Sequence, residues 1–137
     1  MKTQRRQVRL DISTVNCDKD VCVLEYAPGS PVEMSASCTV LGTISVTADD
    51  LFEALNLIRL EAEKHGYFIL CNGARTDAYP SRMSRQMGEG GKLYLFEIGK
   101  PAQRENLVNI FEPAELQQVG TVAAQRMAYD AWLRSLE

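Results

Sequence analysis

Histidine is almost missing from this chain: His65 is the only one. That excludes paired-imidazole chemistry and the usual His-containing zinc sets. Cysteine is present four times, at Cys17, Cys22, Cys38 and Cys71, but no C-x-x-C spacing occurs, so neither a zinc ribbon nor a dithiol redox motif is expected. No apolar run exceeds about five residues, whereas a membrane-spanning helix needs about 20. Basic excess is also lacking. The net charge is −3 and the pI about 5.2, which argues against nucleic acid as a partner, because neutralising phosphates needs clustered Lys and Arg. The N-terminus MKTQRRQVRL is basic but runs into alternation rather than an apolar block. The expectation is a cytoplasmic chain without a secretory signal, whose thiols stay reduced and pack as small apolar groups. No cofactor, metal or membrane is called for.

What is present suffices for one globular domain. At 137 residues with 45% hydrophobic and 24% charged side chains, a chain buries roughly two-thirds of its unfolded surface. Val8–Val15 alternates and predicts a half-buried strand, followed by a turn at Cys17–Asp20 and a more apolar strand over Val21–Ala27. Pro28-Gly29-Ser30-Pro31 breaks the chain. Cys38–Val46 alternates again, with Gly42 as a candidate bulge. Thr47 is a candidate helix cap, with Asp49 and Asp50 near the positive end of the dipole. Leu51, Leu55, Ile58 and Ala62 then form a helical stripe that ends at His65-Gly66. Tyr67–Cys71 reads as a central strand buried on both faces. Lys92–Ile98 is its expected neighbour, and Leu107–Phe111 a last strand. Pro113 is placed at the start of a long helix over Ala114–Leu136, with Leu116, Val119, Ala123 and Met127 on one side. The order β-β-β-α-β-loop-β-β-α predicts an α+β fold: a mostly antiparallel sheet of about five to six strands carrying two helices on one face.

Between two of the predicted strands lies CNGARTDAYPSRMSRQMGEGGK, residues 71–92. Its end fails as a phosphate loop. Gln86 stands where G-x-x-x-x-G-K-[ST] requires glycine, Leu93 where it requires Ser or Thr, and a strand follows where a helix should. Gly88–Lys92 is better read as a turn. Cys71, with His65 six residues earlier, is the only arrangement resembling a nucleophile and base, yet it ends an apolar strand. Arg75, Arg82, Arg85 and Lys92 form the one internal basic cluster. Arginine forks suit carboxylates and phosphates, and they also suit internal pairing with Asp77 or Glu89. Ser81–Met87 can form a short helix. Two acid-rich stretches, 11–33 and 49–64, each hold five acids; such groups usually form a solvated face, and the sharper alternative is a surface complementary to a basic partner.

The Cys-Asn-Gly-Ala-Arg start, the Tyr-Pro-Ser step and the Met-Gly before a strand resemble a bacterial group of small immunity proteins encoded beside polymorphic toxins of the Rhs and contact-dependent inhibition kinds. The resemblance spans residues 67–98. It implies a cytoplasmic, non-enzymatic inhibitor that binds one cognate toxin domain. It carries over no individual functional residue. From the residues themselves, the candidate partner-binding set is Arg75, Asp77, Tyr79, Arg82 and Arg85, with Asp18, Asp20, Asp49 and Asp50 as exposed acids. Two alternatives stand beside it. One is a small enzyme using Cys71, Asp77 or Tyr79, which requires a pocket where these side chains converge. The other is a homo-oligomerisation domain seamed by the Met and Trp of the last helix.

Overall fold

A computed structural model describes residues 4–29, 31–87 and 90–137. Strands β1 (Arg6–Ser13), β2 (Lys19–Ala27), β3 (Val32–Cys38) and β4 (Gly42–Ala48) form an antiparallel meander. Helix α1 (Leu51–Glu63) follows, then the two-residue strand β5 (Phe68–Ile69). The first sheet has the order β4-β3-β2-β1-β5. Strands β6 (Ala78–Tyr79), β7 (Lys92–Leu95) and β8 (Leu107–Asn109) form a second, three-stranded sheet. Helix α2 (Arg82–Met87) lies between β6 and β7, and α3 (Val122–Ser135) closes the chain. The fold is α+β with antiparallel pairing throughout.

Alternation decides the faces of the first sheet. Leu10, Ile12, Cys22, Leu24, Tyr26, Val32, Met34 and Ala36 point inward and are buried, while the intervening residues stay in contact with solvent. Helix α1 covers the inner face with Leu51, Leu55, Ile58 and Ala62, the stripe read from the sequence, together with Phe52 and Ala54. Each of the leucine, isoleucine and phenylalanine side chains contributes roughly 1.5–3 kcal/mol on burial. The sequence also reads Phe52, Leu57 and Leu60 as widening the stripe; Phe52 does, whereas Leu57 and Leu60 are exposed. The cap is Asp50 rather than Thr47: its carboxylate accepts the Glu53 N–H at 2.8 Å, and Thr47 belongs to β4. Gly66, at φ +80°, makes the turn after the helix, as the sequence suggested.

The structure departs from the sequence reading in four further places. Cys38–Val46 is not one strand: Thr39–Leu41 turn, and Gly42 at φ +71° leaves that turn rather than forming a bulge. A preceding strand, β3, went unread because its outward residues are Glu33, Ser35 and Ser37, which dilute the apolar signal. Tyr67–Cys71 is not central. Its strand β5 is an edge segment paired with β1, and β7 sits between β6 and β8 in the other sheet. The last helix begins at Val122, capped by the Thr121 side chain, which accepts from Ala124 N. Residues 114–121 instead make a short 3-10 turn at Leu116–Gln118 and then dock on the 71–78 segment, where the Gly120 N–H donates to the Ala74 carbonyl at 3.0 Å. A Cβ at Gly120 would lie 2.6 Å from Thr76. The face of α3 is therefore rotated: Gln125 and Trp132 are buried, while Ala123 is exposed and Met127 is 71% exposed. Among the described residues no helix is long and apolar enough to cross a membrane.

Candidate functional site

The 71–92 stretch divides into a buried half and a surface half. Cys71, Asn72, Gly73 and Ala74 are all buried, the last three in a short 3-10 turn. They wrap around Arg59, a guanidinium only 2% exposed. Arg59 Nη1 donates to Asn56 Oδ1 (2.8 Å), the Gly73 carbonyl (3.1 Å) and Gln125 Oε1 (2.6 Å); Nη2 donates to the Gly120 carbonyl (3.0 Å). Gln125 Nε2 in turn donates to the carbonyls of Gly73, Arg75 and Ala78 at 2.9–3.0 Å. The amide orientation is dictated, because the reverse would aim its oxygen at three carbonyls. A buried charge is tolerable only when its donors are satisfied. Desolvation still lowers the Arg59 pKa to about 10. This hub ties α1, the 71–78 segment and α3 into one unit.

Cys71 belongs to that buried half. Its thiol is fully enclosed, and desolvation raises its pKa to about 11 against the nearby Arg59 charge. The thiol of Cys22 is pushed up to about 12, again chiefly by burial. Both groups hold their protons in the folded state above the ordinary value of 9.0. Between pH 9 and 11 the unfolded chain releases protons that the folded chain keeps, so stability falls as pH rises, by up to about 1.4 kcal/mol per pH unit per thiol. Urea midpoints across this window should fall less steeply in Cys71→Ala than in the parent. A thiol reagent should modify exposed Cys17 at once and reach Cys22 and Cys71 only on unfolding. Rapid native modification of Cys71 would contradict the placement.

Arg75 and Asp77 are occupied with each other. Arg75 Nε and Nη2 donate to the two carboxylate oxygens at 2.7 and 2.8 Å, fork on fork. Asp50, expected to be exposed, is buried at 5%. One oxygen caps α1, and the other accepts Arg85 Nε at 2.7 Å while the Arg85 guanidinium lies 5.6 Å from the Phe52 ring centre. Asp50 therefore cannot serve a partner, and Arg85 is a bridge from α2 to α1. The internal partners expected for the arginine cluster were Asp77 and Glu89; the former is taken by Arg75, and the latter, with Gly88, lies outside the described residues. Gly90, at φ +75°, seats the chain beside Asp50 and Phe52, where a β-carbon would lie a tight 3.1 Å from Asp50 Cγ and Phe52 N. Asp20 is also engaged, accepting from Val21 N and Val40 N. Asp18, which accepts from Thr14 Oγ1, and Asp49 are exposed. None of these four acids meets the arginine-bearing surface described next.

The surface half builds a cleft of about 370 Å³ between β6, β7 and α3. Tyr79, Tyr94, Phe96, Tyr129 and Trp132 wall it, and Ser81, Arg82 and Leu133 stand at its lip. The rings hold one another in place. Tyr79 stacks on Tyr129 at 3.9 Å between centres and meets Phe52 edge-on at 4.9 Å; Phe96 stacks on Trp132 at 5.4 Å. The Trp132 indole N–H donates to the Lys100 carbonyl at 2.7 Å, and Arg126 Nη1 donates to the Tyr79 hydroxyl at 3.2 Å. Arg82 is exposed, and Leu133 is 42% exposed. Of the expected binding residues, the structure brings Tyr79 and Arg82 to this cleft. The cleft includes neither Cys71 nor Asp77, so the three side chains of the enzymatic alternative do not converge. His65 faces a different groove, beside β4.

Four cleft residues were missed as a group: Tyr94, Phe96, Tyr129 and Trp132. A signal existed. Tyr94 and Phe96 are two apart in an extended segment, and Tyr129 and Trp132 three apart on a helix, so each pair shares a face. No protein-family model matches the chain, and no curated protein matches it.

Proposed function

We propose that this chain is a protein-binding module without chemistry of its own, which neutralises a cognate bacterial toxin domain by covering it. The observation that carries the reading is the aromatic cleft. Tyr, Trp and Arg are the side chains that dominate binding energy at protein interfaces, typically clustered in a preformed, water-excluding pocket. Here stacked rings hold the walls before any partner arrives, so little ordering entropy opposes binding. The cleft accepts an apolar or aromatic anchor from the toxin domain, and Arg82 at the lip meets a carboxylate beside that anchor. The 67–98 segment that resembles toxin-immunity proteins supplies Tyr79, Arg82, Tyr94 and Phe96 to this cleft. Such an inhibitor would act in the cytoplasm of the cell that makes the toxin.

The test is to look for a toxin domain in the neighbouring reading frames and to co-purify the chain with any that is found. Arg82→Glu should weaken that complex about 10- to 100-fold without lowering the melting temperature. Arg85→Glu is the wrong probe, since it sets a second carboxylate against buried Asp50 and should destabilise the fold. Unchanged affinity in Arg82→Glu and Leu133→Asp would remove the cleft from the interface. If no toxin domain encoded beside the chain binds it, the immunity reading falls.

A further inference from the structure

We infer that strand β4 is a self-complementary sheet edge and that a second copy of this chain occupies it, joining two first sheets into one across a two-fold axis. β4 ends the sheet order β4-β3-β2-β1-β5. Among the described residues its backbone pairs only with β3, with no other hydrogen bond to Gly42–Ala48 backbone groups. The opposite edge is managed differently: beyond β5, the Leu70 carbonyl accepts Ala114 N–H and Cys71 bridges to Pro113. Exposed edges are normally blunted by proline, lysine or inward charge. β4 has none of these, and residues 34–48 contain no charged side chain at all. In a chain of net charge −3, the edge strand itself carries no charge, and the acids nearest it are Glu33 on β3 and Glu61 on α1.

The sequence of the edge selects the occupant. Thr43-Ile44-Ser45-Val46-Thr47 is chemically palindromic about Ser45. An antiparallel partner related by a two-fold through Ser45 pairs serine with serine, Ile44 with Val46 and Thr43 with Thr47. An isologous contact requires this reciprocity, residue i meeting j while j meets i. All four flanking residues are β-branched, and such cross-strand pairs are the units that stabilise a sheet. The inward pair, Ile44 and Val46, is only half-buried in one copy and borders a groove shared with Leu57, which is 38% exposed on α1. A second copy extends the sheet past this groove and brings the two α1 helices, with Leu57 and Leu60, toward each other on one face.

The experiment is sedimentation velocity on the full chain over a concentration series, with two charge variants. The parent should show a reversible monomer–dimer equilibrium. Thr43→Glu with Thr47→Glu, and separately Thr43→Lys with Thr47→Lys, set like charges opposite each other and should each weaken the dimer at least about tenfold. Thr43 and Thr47 are exposed, but Thr47 stands opposite Glu33 on β3, so the Glu pair should melt somewhat below the parent and the Lys pair near it, and dimerisation is compared at a temperature where all three are folded. Mixing the two variants should restore a dimer, now a heterodimer, because every cross-axis pair becomes Glu against Lys. A parent that is monomeric throughout would overturn the inference. So would a dimer unaffected by either variant, which would place its seam elsewhere, as would a mixture that fails to reassociate.

Discussion

Replacing Gln125 by leucine should lower the unfolding free energy by about 3–5 kcal/mol, although leucine matches its size and is a better helix former. Gln125 is 1% exposed. Its amide nitrogen feeds three backbone carbonyls, and its oxygen accepts from Arg59 at 2.6 Å. Leucine takes this donor from the carbonyls of Arg75 and Ala78, leaving Arg75's only a long bond from the Ala78 N–H at 3.4 Å, and takes an acceptor from a buried cation. Each orphaned buried group costs about 1–3 kcal/mol. Arg59→Met keeps most of the stem but strips the Gly120 carbonyl of its guanidinium donor, and should cost about 2–4 kcal/mol. Because the two residues share one network, the double variant should lose less than the sum of the singles. Urea unfolding of the four proteins reads this directly. A Gln125→Leu variant within about 0.5 kcal/mol of the parent would mean that the hub is not formed as described.

Gly73→Ala should be nearly as damaging for a steric reason. A β-carbon there would sit 2.4 Å from Leu55 Cδ2 and 2.8 Å from Ile110 Cγ1. Neither neighbour can swing into solvent, since Leu55 is 0% and Ile110 1% exposed. Nor can the backbone retreat: the Gly73 N–H donates to the Ile110 carbonyl at 2.9 Å, and its own carbonyl holds both Arg59 and Gln125. Overpacking of this kind costs about 1–3 kcal/mol, and the constrained surroundings put the expected cost near the top, a drop of about 10 °C in melting temperature. Leu55→Ala removes the nearest clashing atoms. In the double variant the two losses should be markedly sub-additive, whereas simple addition would mean the clash is relieved elsewhere.

These two sites also show where the sequence was legible. Helix α1 was readable because its apolar stripe repeats at helical spacing and its partner, a sheet face, is simply hydrophobic. The β1–β2 hairpin was readable for the same reason. The role of Arg59 was not, because nothing local distinguishes a buried arginine from a solvated one; its partners lie on segments 14 and 66 residues away. The 71–92 stretch looked like one functional loop and is two things. Its first part is odd because it is buried close to other backbone, which explains Asn72, Gly73 and Ala74. Its second part is odd because Tyr79 and Arg82 face a cleft whose other wall comes from α3. The fold class followed from local pattern. The division into two sheets did not, because strands as short as Phe68–Ile69 and Ala78–Tyr79 carry too few residues to declare a face. The phase of α3 misled because its buried positions include a glutamine, which reads as polar and external until its three acceptors are known.

The docking role of the cleft is the central claim, and the chain contains its own reporter. Trp132 is the single tryptophan and forms part of the cleft wall. Incorporating 5-fluorotryptophan gives one fluorine resonance, insensitive to any tryptophan in the partner. On titration with a purified toxin domain that co-elutes with the chain, the account predicts that this resonance moves or broadens and saturates at one equivalent, and that Arg82→Glu shifts the titration to higher concentration. A complex that forms, by co-elution, while the Trp132 resonance stays unmoved would contradict it.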